Sequence, residues 1–124
     1  MAVLLVALGG AAGSVLRYWL GLAVVRVTGP GFPWGTLLIN IVGSFIIGWL
    51  ATGARPDAVT LRLLLMVGFC GGFTTFSSFS LQTLELLQQG AWLAAWGNML
   101  FSVALCMGAV TLGWTLGGWT LGRG

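Results

Sequence analysis

Gly71-Gly72-Phe73-Thr74-Thr75-Phe76-Ser77-Ser78-Phe79-Ser80 sets a glycine pair ahead of a run in which hydroxyl residues are interleaved with phenylalanines, in the middle of an apolar segment. Paired glycines weaken a helix, and the neighbouring threonines and serines offer its backbone competing hydrogen bonds. The stretch therefore predicts a break inside a membrane-spanning helix. Non-helical backbone at membrane depth persists only where protein or a water-lined cavity covers it, so a break there marks a binding or conduction element.

The surrounding chain fits that reading. It has 124 residues, 58% of them hydrophobic and 6% charged, with no histidine. A soluble domain carries roughly 25% charged residues to face water. Arg17, Arg26, Arg55, Arg62 and Arg123 are scattered rather than gathered into a phosphate-binding stripe, so no nucleic-acid partner is expected and the basic balance reads as headgroup anchoring. Cys70 and Cys106 both fall in apolar segments, where they read as small packing residues, and two cysteines without histidine make no zinc site. The first segment lacks a basic region ahead of it and runs on through Arg17, which predicts a retained span rather than a cleaved signal peptide.

Hydropathy and turn residues place four spans at about 1–25, 34–54, 61–87 and 91–121, forming a single integral membrane domain over 1–124. In the first, Gly9, Gly13, Arg17 and Gly21 recur every four residues and share one face, which suits close helix approach and leaves Arg17 pointing inward or snorkelling to the interface. In the second, Asn40 and Ser44 share a face; in the fourth, Asn98 and Ser102 do. Such buried polar groups need partners, either another helix or a pore. The Thr-Leu-Gly-Trp repeats beyond Thr111 read as a glycine packing face with interfacial tryptophans. An even number of spans puts both termini on one side with Arg55, Arg62 and Arg123, against Arg26 and, less clearly placed, Arg17 on the other. That bias is weak enough for insertion in both orientations.

The chemistry on offer is narrow. No span centre carries a carboxylate or histidine, and no nucleophile has a base beside it, so an enzyme is not expected. Asn40, Ser44, Thr75, Ser77, Ser78, Asn98 and Ser102 are neutral groups able to donate hydrogen bonds, which suits an anion, although serine and threonine hydroxyls also bond back to their own helix. Phe76 and Phe79 share a face. Packing or lipid contact accounts for them, and so does a narrow passage in which positive ring edges favour an anion.

The opening stretch, the run from Gly9-Gly10 to Arg17-Tyr18, and Gly35-Thr36-Leu37-Leu38-Ile39-Asn40 on to Gly43-Ser44 together resemble the Fluc (CrcB) family of fluoride channels across all four spans. The resemblance implies an all-α membrane protein assembling as an antiparallel, dual-topology homodimer, with two fluoride pathways, a central structural sodium ion, and passive fluoride efflux across the plasma membrane of a prokaryote. It further implies that Phe76 and Phe79 line the pathway with their ring edges, near Asn40. Ser77 and Ser78 form a polar track, Ser102 is a pore serine, and Arg17 sits at a vestibule mouth. The carbonyls of Gly71 and Thr74 would hold the sodium. Asn98 stands where many relatives carry tyrosine.

Two other classes compete. A small dual-topology, proton-coupled multidrug exporter needs an intramembrane carboxylate, and Asp57 and Glu85 lie in a loop and near a segment end. A non-transporting scaffold explains the glycines but not the polar track. Liposome flux of fluoride, chloride and an organic cation separates all three.

Overall fold

The computed structural model describes residues 1–53 and 58–120. Arg55 and Arg123, two of the charges weighed for orientation, and the loop residue Asp57 lie outside the described residues. Among the described residues the fold is all-helical. Helix α1 spans Ala2–Thr28, α2 Trp34–Gly53, α3 residues 59–73, α4 Phe76–Gln88 and α5 Trp92–Thr120. Helices α3 and α4 are the two halves of the third span, so among the described residues four helical stretches are long and apolar enough to cross a membrane. Twenty residues of α2 reach about 30 Å, the thickness of a hydrocarbon core.

The ends follow from local chemistry. Helix α1 runs past the expected boundary at Val25 because the Gly29 N–H still reaches the Val25 carbonyl at 2.8 Å, and the chain then turns at Gly29 with φ 78°. That is a backbone region open to glycine at little steric cost. Gly90, at φ 75°, ends α4 in the same way, its N–H bonding to the Leu87 carbonyl at 3.1 Å.

Large apolar side chains point outward, as a lipid-facing surface requires: Trp19, Leu93 and Val103 are all exposed. Association between the helices rests instead on small residues. A Cβ on Gly9 or Gly13 would collide with the α3 backbone at Leu64 or Phe69, so α1 and α3 meet main chain to main chain. The α2–α5 pair, the most extensive in the molecule, is seamed similarly, with Gly48 against Val110 and Gly113 against Phe45. Gly113 and Gly117 of the Thr-Leu-Gly-Trp repeats thus lie on the packing face expected of them, while Trp114 and Trp119 are exposed. Gly21, the far member of the α1 face, meets α2 at Gly35 rather than α3.

One element has no counterpart in the sequence reading. Residues Arg62–Cys70 of α3 form a nine-residue π-helix. Its wider turn, with i→i+5 bonding, re-phases the side chains that follow it, and π-helical turns concentrate at functional sites. Here the stretch delivers the chain to Gly71 and the break.

Candidate functional site

The break falls two residues after the glycine pair, and the glycines themselves stay helical. Thr74 (φ −80°, ψ 157°) and Thr75 (φ −153°, ψ 111°) are extended, and the helix resumes at Phe76. Three side chains stabilise this arrangement. Thr74 Oγ1 donates to the Cys70 carbonyl at 2.9 Å, closing the end of α3. Thr75 Oγ1 accepts from the Ser78 N–H at 3.1 Å, an N-cap of α4 worth about 1 kcal/mol. Asn40 of α2 holds the break itself: its Oδ1 accepts from the Thr75 N–H at 2.8 Å while its Nδ2 donates to the Thr75 carbonyl at 3.0 Å. Gly43, one turn further along α2, leaves room for the Thr74 methyl.

These bonds change the electrostatics at mid-span. In a continuous helix the Thr75 N–H would donate to the Gly71 carbonyl and the Ser78 N–H to the Thr74 carbonyl. Both donors are taken, by Asn40 and by Thr75 Oγ1. The carbonyl end of α3 and the amide end of α4 therefore face each other across two residues. The first carries partial negative charge suited to a cation, the second partial positive charge suited to an anion.

A cavity of about 730 Å³ opens at this point. Asn40, Gly43 and Ser44 line it from α2, Cys70 and Gly71 from α3, Thr74 and Thr75 from the break, Phe76 and Phe79 from α4, and Ser102 and Cys106 from α5. None of its lining residues is ionisable apart from the two thiols. Its wall is mostly apolar, with a few fixed donors.

The structure thus brings Asn40, Phe76, Phe79, Ser102, Gly71 and Thr74 to one cavity. The rings of Phe76 and Phe79 have centroids 5.4 Å apart at an interplanar angle of 47°. Ser77 and Ser78 do not line the cavity but connect to it through Thr75, whose hydroxyl donates to Ser78 Oγ at 3.0 Å and lies 3.4 Å from Ser77 Oγ. Asn98 is buried away from the cavity: its Nδ2 donates to Thr83 Oγ1 at 2.9 Å, tying α5 to α4, and its Oδ1 accepts from Ser102 Oγ at 3.4 Å. Arg17 is half-buried on α1 and does not line the cavity.

Two contributors escape a reading of spacing alone. Thr83, four residues after Phe79, completes the Asn98 pairing and donates to the Phe79 carbonyl at 2.7 Å. That i+4 relation to a singled-out phenylalanine was its only signal. Ser14 of α1 donates to the Gly72 carbonyl at 3.4 Å, so this carbonyl of the α3 terminus is satisfied from another helix.

Comparison with known proteins places the chain in a family. The family described as CrcB-like protein, Camphor Resistance (CrcB), matches residues 4–114. A protein of Paramagnetospirillum magneticum named fluoride-specific ion channel FluC is 54% identical over 88% of this chain and 89% of its own length. Proteins of the same name from Rhodospirillum rubrum (52% identical, 91% of this chain and 92% of that one) and Opitutus terrae (54%, 89% and 87%) are similar to it as well. Matched along almost its whole length, this multi-pass prokaryotic membrane protein belongs to the CrcB-like family.

Proposed function

We propose that the chain is a fluoride-selective channel that lets the anion leave the cell passively and so limits fluoride toxicity. The observation that carries this reading is the break. It presents the amide end of α4 and the Asn40 amide to a cavity without an ionised group, whose lining also includes Ser102, and relatives at about half identity bear the name fluoride-specific ion channel. Fluoride is small and strongly hydrated. A path must replace its water with close donors, yet a fixed cation would trap it; neutral amides, hydroxyls and ring edges avoid that. Fluoride enters a cell as the neutral acid, dissociates in the less acidic cytoplasm, and returns as the anion down its own gradient.

In this reading the anion passes Asn40, Phe76, Phe79 and Ser102, with Ser77, Ser78 and Asn98 orienting or extending the donors and Arg17 acting at the vestibule. The working unit is an antiparallel homodimer with two pathways. Support comes from Phe76, which is 79% exposed beside a cavity of mostly apolar wall and would be covered by a second copy. A structural sodium ion fits the released carbonyls of Gly71 and Thr74, since a hard cation takes neutral oxygen ligands and both have lost their helical donors. Two carbonyls from each of two chains would hold it, and when bound it would offset the negative ends of two α3 helices. The proton-coupled exporter reading finds no carboxylate on the cavity lining; Glu85 is exposed near the end of α4.

Growth tests the function. A bacterial strain deprived of its own fluoride export and supplied with this chain should regain growth in millimolar fluoride, most visibly in acidic medium, without gaining resistance to lipophilic cations. Resistance to the cations with none to fluoride would favour the exporter.

A further inference from the structure

One amide serves both ends of the break. Asn40 Oδ1 takes the Thr75 N–H at 2.8 Å, and that is the donor which would otherwise close on the Gly71 carbonyl. Its Nδ2 spends one hydrogen on the Thr75 carbonyl at 3.0 Å and keeps the other, while the residue as a whole lines the cavity. Gly71 is exposed, lines the cavity, and has nothing within 4 Å of the position a Cβ would take on it, so no side chain packs over that face of the residue. The state of the Gly71 carbonyl therefore depends on a side chain from another helix, 35 residues away from Thr75 in sequence.

We propose that Asn40 is a positioning residue for the cation site as well as a donor for the anion, and that it couples the two: by holding the Thr75 N–H it keeps the Gly71 carbonyl free for sodium. The proposal rests on the sodium reading given above. Without the Oδ1 acceptor, the Thr75 N–H swings back toward Gly71, α3 extends through Thr74, and one of the two carbonyls contributed by each chain is withdrawn. By thermodynamic reciprocity, an anion that polarises the Asn40 amide and tightens its hold on Thr75 also raises sodium affinity.

The test separates acceptor from donor. In Asn40→Asp a carboxyl oxygen remains to accept from Thr75, whereas Asn40→Ala has none; Ser102→Ala removes a cavity hydroxyl without touching the break. Purified full-length protein is titrated with sodium in a sodium-free organic-cation buffer and its thermal unfolding followed, with fluoride flux measured in parallel. The expected result is a sodium midpoint raised about tenfold in Asn40→Ala, the scale of one lost buried hydrogen bond. In Asn40→Asp and Ser102→Ala the midpoint stays within about twofold of wild type while flux falls. Amide exchange at Thr75, slow in the wild type and in Asn40→Asp, is the second readout and supplies the answer if Asn40→Ala does not assemble. A wild-type protein indifferent to sodium overturns the sodium reading and the inference with it. A wild type that responds, with Asn40→Ala responding at the same midpoint or Asn40→Asp shifted as far as Asn40→Ala, overturns the inference alone.

Discussion

Phe76 and Phe79 touch, with ring centroids 5.4 Å apart, yet they occupy different surroundings: Phe76 is 79% exposed and Phe79 half-buried against the cavity. Replacing either ring with isoleucine preserves bulk and removes the positive edge. Phe76→Ile and Phe79→Ile are expected to insert and assemble normally while losing fluoride flux by at least about tenfold, the loss of one good coordination contact. Flux assays on size-checked dimers decide it; wild-type rates in both variants would return the rings to packing.

Helix contact through main chain makes a second expectation. Gly13→Ala places a methyl group against the Phe69 carbonyl, where no side chain can move aside, and should cost at least the upper part of the roughly 1–3 kcal/mol typical of overpacking. Gly108→Ala, in the same kind of apolar helix but with open space around it, should be neutral or stabilising by up to about 1 kcal/mol from helix propensity. Thermal unfolding of the two variants in detergent measures the contrast.

The Asn98–Thr83 bond is an interhelical pairing within hydrocarbon, where such bonds contribute about 0.6 kcal/mol on average and up to roughly 1.7. Asn98→Leu and Thr83→Val should each lower stability by about that amount, and the double variant should lose less than their sum. Strict additivity in this cycle would show that the two side chains act separately.

Much of the architecture was legible in the sequence because hydropathy and glycine spacing report directly on lipid contact and helix approach. The four spans, the Gly9–Gly13 face and the glycine seam beyond Thr111 needed no tertiary information. The break was legible as an event but not in its place. Gly71 and Gly72 suggested themselves by propensity, whereas the helix ends at Thr74 and Thr75, where the Thr75 hydroxyl and the Asn40 amide take the backbone donors and the Thr74 hydroxyl donates to the Cys70 carbonyl. Asn40 comes from another helix, so local pattern could name it as a polar group needing a partner and no more. The π-helical stretch over Arg62–Cys70 left no trace, since its apolar run carries no period that separates 4.4 from 3.6 residues per turn. Thr83 was hidden in the same way, as an unremarked hydroxyl until Asn98 was seen to reach it.

Assembly has its own test. Variants with added arginines at one loop set or the other insert in a single orientation. Each alone should be silent for fluoride, and the two reconstituted together should conduct. Conduction by one orientation alone would contradict the antiparallel dimer.

The most direct measurement is fluoride release from proteoliposomes loaded with fluoride and chloride, started by a potassium ionophore and followed with electrodes for each ion. The account predicts rapid fluoride release with chloride retained, and release abolished by Phe79→Ile. Release of both halides alike, or of neither above protein-free vesicles, would contradict it.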